Sequence, residues 1–304
     1  MPIQPTHPKI TPPTDPDQRV WRYMDFAKFV ALISRRELYF CNLEVLAATD
    51  PHEGLLSQPN YRHREWNTIA DLTPEEYKEI IFDEAMYRSE ETKRVQFESH
   101  KNAREYWLRR RFYDRRTLFV NCWHVNSDES PAMWMQYAGV GYGIAITSNY
   151  NRIIAALSSA KEQLFAGMVN YLDWHSQPVD NSFTMPFSKR RSFSYENELR
   201  LVYSDQAIQQ KVNELCQILS QHMMDHVYQR ITGPIKWDMI EEEVAKVQHA
   251  PGNYITVNLD QLISKVYVSP TSQSWFLELV EEVCDKFTIM RKPVRSELLS
   301  PPIR

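Results

Sequence analysis

Ser194–Tyr203 reads Ser-Tyr-Glu-Asn-Glu-Leu-Arg-Leu-Val-Tyr, with charge recurring at every second position against an apolar alternate. A strand with one buried face accommodates such a pattern, because successive side chains of a strand point to opposite sides. In that geometry Glu196, Glu198 and Arg200 share one face and Leu199, Leu201 and Tyr203 the other. Carboxylates two residues apart on a strand lie about 7 Å from each other, with a guanidinium next in line to offset their repulsion. Pairs of this kind stabilise a developing cation, hold a metal, or divide acid and base roles. The structural alternative is a solvated sheet face.

Other segments mix strand and helix without a regular βα rhythm. Phe26, Phe29, Val30 and Ile33 follow a helical period behind a capping Asp25, and Leu38–Cys41 reads as a strand. Thr73-Pro74-Glu75-Glu76 has the form of a capping box and opens a charged helical insertion over 73–116. Strands fit 117–123, 143–147, 165–171, 199–203, 254–257 and 265–268, with a helical block over 206–249 and a last helix over 274–287. This order predicts an α+β domain over 19–304, with a mixed, largely antiparallel sheet. Six prolines in residues 1–18 predict a disordered tail.

Composition narrows the function. With 304 residues, 43% hydrophobic and 24% charged, the chain is of ordinary globular type, and a net charge of −4 gives no overall attraction to nucleic acid or anionic membrane. Seven glycines, clustered only at Gly139, Gly141 and Gly143, exclude the phosphate loops GxGxxG and GxxxxGK[ST]. Eight Trp and 16 Tyr suffice to line a pocket for a flat ligand. Cys41, Cys122, Cys216 and Cys284 are scattered without CxxC spacing, as expected of reduced thiols in the cytoplasm. No apolar run reaches membrane-spanning length, so no membrane partner is expected.

Trp21-Arg22-Tyr23, the strand Leu38–Cys41, Asp50-Pro51-His52-Glu53-Gly54, Asn121-Cys122-Trp123, Ala132–Tyr137, Gly141–Ile146, Phe193–Arg200, Val266–Pro270 and Val294-Arg295-Ser296 occur in an order that resembles the bacterial domain of unknown function 2971. That resemblance spans about 20–297 and implies a grouping without an activity. A second one bears on chemistry. An arginine on an early strand and a later Glu-x-Glu are similar to the arginine–serine–glutamate plan of ADP-ribosyltransferases. It implies NAD as cofactor, Arg22 as the phosphate-binding residue, Glu198 as the main catalytic carboxylate and Glu196 as the group orienting an acceptor. Thr147-Ser148 stands in for the middle motif, making Ser148 a cofactor contact, although no Ser-Thr-Ser is present. Tyr23 and Arg200 join the ligand contacts, and Trp134 or Tyr137, one helical turn apart, would stack on a ring.

The leading expectation is an enzyme acting on a nucleotide-type small molecule, by ADP-ribosyl transfer to a protein or RNA acceptor or by NAD cleavage. A bacterial toxin or phage-defence setting fits it, and no metal is expected. Two alternatives remain open. One is a metal-dependent nuclease using Asp50, Glu53, Glu196 and Glu198, against which Arg200 stands where such enzymes have lysine. The other is an RNA- or partner-binding module using Arg104, Arg109, Arg110, Arg111, Arg115 and Arg116, interleaved with Tyr106, Trp107, Phe112 and Tyr113. For the second, internal pairing with the acidic run from Glu75 to Glu91 is the structural alternative. His222 and His226 have metal spacing without a third ligand and read as a helix face.

Overall fold

In a computed structural model, which describes residues 3–4, 7–139, 141–180, 183–227, 242, 245–247 and 250–299, the alternating segment becomes a central strand of a mixed sheet. Eight of its strands run in the order β1 (Ile3–Gln4), β6 (Leu164–Met168), β9 (Glu198–Ser204), β4 (Leu118–Val125), β2 (Val20–Asp25), β5 (Gly143–Ser148), β11 (Lys265–Val268) and β12 (Val294–Arg295). β3 (Glu37–Asn42) and β10 (Gly252–Thr256) form a branch joined to β4, and β7 (Asn170–Leu172) pairs with β8 (Ser188–Arg190) in a separate ribbon. Pairing is antiparallel except at β1–β6, β11–β12 and β7–β8. The fold is α+β, as the sequence implies.

Parity divides the sheet into two faces. Leu199, Leu201 and Tyr203 of β9 join Phe119, Trp123, Ile144, Ile146 and the helix Phe26–Arg35 in the main apolar core. That helix starts where the sequence places it, with Asp25 accepting from Lys28 N at 2.8 Å. The other face carries Glu198, Arg200 and Val202, registered against His124, Cys122 and Val120 of β4. Trp21 pairs with His124, so Trp21 and Tyr23 belong to this second face, with Trp134 and Met133 above them.

β4 changes partner along its length. Cys41 and Asn42 of β3 pair with Val120 and Phe119, whereas Trp21 and Val20 of β2 pair with His124 and Val125. The strands diverge between those points, and a carbonyl at such a fork needs a donor from elsewhere. Arg22 supplies it: Nη1 donates to Cys122 O at 2.9 Å and Nη2 to Tyr39 O at 3.4 Å. Asn121 Nδ2 also donates to Tyr39 O, at 2.9 Å.

The charged segment over 73–116 carries two helices. Thr73 and Glu76 close a capping box on the helix Pro74–Ile80, and Ser89 and Thr92 close another on the helix Glu90–Asp114. Trp66, Ile80, Ile81 and Phe97 give it a small core of its own. The helical block over 206–249 is described as the helix Gln206–Val227, and most of the remainder falls outside the described residues.

The amino-terminal segment departs from expectation. Residues 7–18 lie along the domain: Ile10 is buried in an apolar cluster, Met168 N donates to Thr11 O at 2.8 Å, and His7 stacks on Phe183 at 4.0 Å. Asn149 and Asn151 both donate to Asp17. Prolines disfavour ladder and helix, but they neither stop Ile3–Gln4 from pairing with β6 nor prevent the extended segment after it from burying the side chain of Ile10.

Candidate functional site

The site is built by a break in the strand. Glu196 does not share β9 with Glu198, as alternation predicts. It ends a short 3-10 helix, Arg191–Glu196, and Asn197 then turns the chain with a left-handed φ of 38° before β9 begins at Glu198. Asparagine tolerates this conformation better than other residues with a side chain. Here its Nδ2 also donates to Val125 O, at 2.6 Å. The turn, rather than the pleat, aims both carboxylates at one partner.

That partner is Lys189 on β8. Its Nζ donates to Glu196 Oε2 in a short contact and to Glu198 Oε1 at 2.9 Å, and lies 3.7 Å from Glu53 Oε2. Arg200 closes the cluster from the sheet. Its Nη2 and Nε donate to Glu198 Oε2 at 2.7 and 3.0 Å, and its Nη1 to Glu53 Oε1 and Pro186 O, both at 2.7 Å. Three carboxylates thus meet two cations, and all five residues are buried. Glu53 comes from the Asp50–Gly54 loop. Asp50 makes the expected Asx turn to His52 N at 3.1 Å and also pairs with Arg190 Nη2 at 2.6 Å.

The arithmetic leaves one negative charge in excess, which a proton offsets. Burial, reinforced by the neighbouring Glu198, raises the Glu196 carboxyl to about 7. For Glu198, burial pushes the same way, but Arg200, the hydrogen bond from Glu196 and Lys189 override it and hold the group well below the usual carboxylate range. The pair therefore divides into a proton-bearing and an ionised carboxyl, an arrangement suited to acid–base chemistry. Tyr137 OH donates to Glu196 Oε1 at 3.0 Å, and burial and that carboxylate raise its own pKa. Tyr171 OH accepts from Glu198 N at 2.9 Å. His124 Nδ1 lies 2.6 Å from Glu196 O. A carbonyl only accepts, so Nδ1 carries the proton, and the buried Nε2 has no hydrogen-bond partner.

Over this cluster lie Trp134–Ala138 and the Phe193–Tyr195 turn, joined by Tyr195 OH donating to Gln136 Oε1 at 3.4 Å. Tyr137 is 43% and Tyr195 50% exposed, so they form the boundary between solvent and the carboxylates.

Of the expected site residues, Glu196, Glu198, Arg200 and Tyr137 converge. Tyr23 and Trp134 lie on the same sheet face in a buried aromatic layer, Tyr23 OH accepting from Ser130 N at 3.0 Å and Trp134 Nε1 donating to Glu129 Oε2 at 3.0 Å. Arg22 and Ser148 do not join them. Both project from the opposite face, Arg22 registered with Ile146, and Ser148 Oγ is committed to Leu262 O at 2.6 Å. Arg200, expected to touch a ligand, is fully enclosed and spends its donors on Glu198, Glu53 and Pro186. Lys189 carries no sequence signal beyond being one basic residue in a Lys-Arg-Arg run.

The basic-aromatic cluster is paired internally. Arg104 bonds Glu79, Arg109 bonds Glu105, Arg111 bonds Asp114, and Arg116 bonds Glu44. Of these four partners, Glu79 comes from the acidic run expected to supply them. The side chains of His222 and His226 lie outside the described residues. Among the described residues no group of three or more His, Cys, Asp or Glu is arranged to hold a metal, and no helix is long and apolar enough to cross a membrane.

Compared with known proteins, the chain matches no family model, no curated protein and no solved structure.

Proposed function

We propose that the protein is a cytoplasmic enzyme acting on a nucleotide-type ligand by glycosyl transfer, as ADP-ribosyl transfer or NAD cleavage, with Glu196 and Glu198 at its centre. One observation carries this reading: a single buried ammonium, Lys189, holds a proton-bearing carboxyl beside an ionised one, with a half-exposed tyrosine at their edge. Cleaving a glycosidic bond to nicotinamide develops positive charge at the anomeric carbon. Glu198, kept ionised by Arg200 and Lys189, is the group that stabilises such charge. Glu196 exchanges a proton with the acceptor through Tyr137 or directly. Access to the pair runs past Tyr137 and Tyr195, whose turns must part to admit a substrate.

The reading gives Arg22 no part in binding phosphate, since its guanidinium serves the fork in the sheet. The resemblance to the domain of unknown function 2971 remains its proposed grouping, and a toxin or phage-defence role its proposed setting. A metal-dependent nuclease gains one observation, that Lys189 supplies beside the carboxylates the lysine absent at position 200. Against it, Glu53, Glu196 and Glu198 are already engaged by Lys189 and Arg200.

The test is nicotinamide release from NAD by the purified chain, with and without cellular RNA and protein as acceptors. Glu198→Gln is expected to lower turnover roughly 10²–10³-fold with little change in NAD binding, since its charge acts on the transition state. Absence of release together with absence of any NAD-induced thermal shift rejects the proposal, and Mg²⁺-dependent cutting of nucleic acid would replace it with the nuclease reading.

A further inference from the structure

A second pocket lies toward the β11–β12 end of the sheet, with a volume of about 370 Å³. Trp21 and Tyr267, whose rings lie 4.9 Å apart, line it together with side chains from the segment after β4 and from around β12. Lys265, which also lines it, stands four strand spacings from Glu198, about 19 Å: Glu198 registers with His124, His124 with Trp21, Trp21 with Thr147, and Thr147 with Lys265. Three cations, Arg19, Lys265 and Arg295, and three carboxylates, Asp128, Glu129 and Glu297, line this one pocket. Among the described residues none of the six makes an ion pair. Elsewhere on the surface opposite charges do close on one another, as Arg94 and Glu91 do at 2.7 Å with side chains 64% and 65% exposed.

The two signs are kept apart by tethers to other groups. Arg19 Nη1 donates to Ser127 O at 2.8 Å with its guanidinium over the Trp21 ring, and Arg295 Nη2 donates to Ser272 O in a short contact. Glu129 Oε2 accepts from Trp134 Nε1 at 3.0 Å, and Asp128 Oδ2 from Ser127 Oγ at 2.8 Å. Groups already held in place lose less freedom when a ligand arrives. Glu129 is half-buried and the other five residues are exposed, so their charges are within reach of a solute. Burial raises the Tyr267 pKa, Arg19 lowers it, and Glu129 and Glu297 raise it, so its hydroxyl lies in the field of both signs of charge. A simple anion in this pocket meets three carboxylates, and a simple cation meets three basic groups. A neutral solute displaces water from all six without replacing it. A molecule with one group of each sign satisfies both sets. One benzene ring needs about 150 Å³, so the pocket holds about a dozen non-hydrogen atoms. A free di- or tripeptide has that size, with an ammonium at one end and a carboxylate at the other.

We propose that this pocket binds short free peptides, its cations taking the terminal carboxylate, its carboxylates taking the terminal ammonium, and the Tyr267 hydroxyl bonding the peptide link between them. Guanidinium groups suit the carboxylate end because they can grip it with two parallel N–H donors. The site is independent of the chemistry assigned to Glu196 and Glu198, neither of which lines it, and peptide binding is expected to be unaltered in Glu198→Gln.

Calorimetric titration of the full chain with triglycine, N-acetyl-triglycine and triglycinamide tests it. Triglycine is expected to bind with a Kd of about 1 mM or tighter. Each blocked peptide loses one charge-assisted contact and should bind at least roughly tenfold more weakly. Combining Glu129→Gln with Glu297→Gln should bring triglycine and its N-acetyl form within about threefold, and combining Lys265→Gln with Arg295→Gln should do the same for the amide. Should either double variant not fold, the ratios in the unaltered chain decide. No saturable triglycine binding, equal affinity for either blocked form, or inorganic phosphate or putrescine bound as tightly as triglycine would each overturn the proposal, as would ratios unchanged in both folded double variants. Failure here with nicotinamide release intact leaves the carboxylate chemistry standing, and the reverse result leaves the peptide site standing.

Discussion

Around Glu105, in the helical insertion, one carboxylate meets Arg64 and Arg109 at 2.9 and 2.7 Å and His63 at 2.9 Å. Around Lys189, in the sheet, two cations meet three carboxylates. Burial pushes both Glu105 and Glu196 upward. At Glu105 the surrounding donors win, and the group stays well below the usual carboxylate range. At Glu196 burial wins, because its neighbour Glu198 has already taken most of the available positive charge. The difference is one of local stoichiometry: an excess of cations fixes a carboxylate, whereas an excess of carboxylates retains a proton. The first arrangement holds a helix in place, and the second provides a group that can titrate during a reaction.

The contrast is broken most severely at Arg200. Replacing it with leucine leaves Glu53 and Glu198 short of their fully enclosed partner, and removing one side of a buried ion pair typically destabilises by about 3–5 kcal/mol. Urea denaturation of Arg200→Leu measures this, and a loss under about 1 kcal/mol would mean the cluster is not the linchpin of its sheet face.

A smaller effect sharpens the same comparison through pH. The folded-state pKa of Glu196 is raised above its unfolded value, so its contribution to stability is fully present below about 4.5 and is lost as pH rises through about 7. In that window the wild type is expected to lose stability on going to higher pH, with a slope of at most about 1.4 kcal/mol per pH unit from this group. Glu198 contributes oppositely and at lower pH, its stabilisation vanishing as pH falls through its depressed folded pKa. Glu196→Gln should remove the decline between about 4.5 and 7, which parallel denaturation curves at pH 5 and 8 would show.

The smallest effect belongs to the insertion. Arg104 pairs with Glu79 at 2.8 Å, with side chains 35% and 55% exposed. Such pairs contribute about 1 kcal/mol or less, so Arg104→Gln should barely move the denaturation midpoint, and a large shift would erase the distinction drawn between the two regions.

Much of the fold is written locally. Asp25, Thr73 and the alternation over 198–203 announce a cap, a helix start and a central strand, and each works through residues within a few positions. The site is less legible, because it depends on where distant segments arrive. Glu196 and Glu198 are visible as a pair, but alternation misassigns the first of them, since a single left-handed residue, Asn197, replaces one pleat with a turn. Lys189 and Glu53 reach the pair through tertiary packing that no spacing encodes. Arg22 shows the opposite error: a basic residue on an early strand satisfies a motif, yet the fork between β2 and β3 consumes its donors.

The claim on which the account turns is that Glu196 keeps its proton near neutrality while Glu198 does not. Infrared difference spectroscopy of the carboxyl stretch, titrated between pH 4 and 9 in the wild type and in Glu196→Gln, reads this directly. The account expects one protonated carboxyl band that disappears with a midpoint near 7 and is missing from the variant. A midpoint in the ordinary carboxylate range, or a band near 7 that survives in Glu196→Gln, would contradict it.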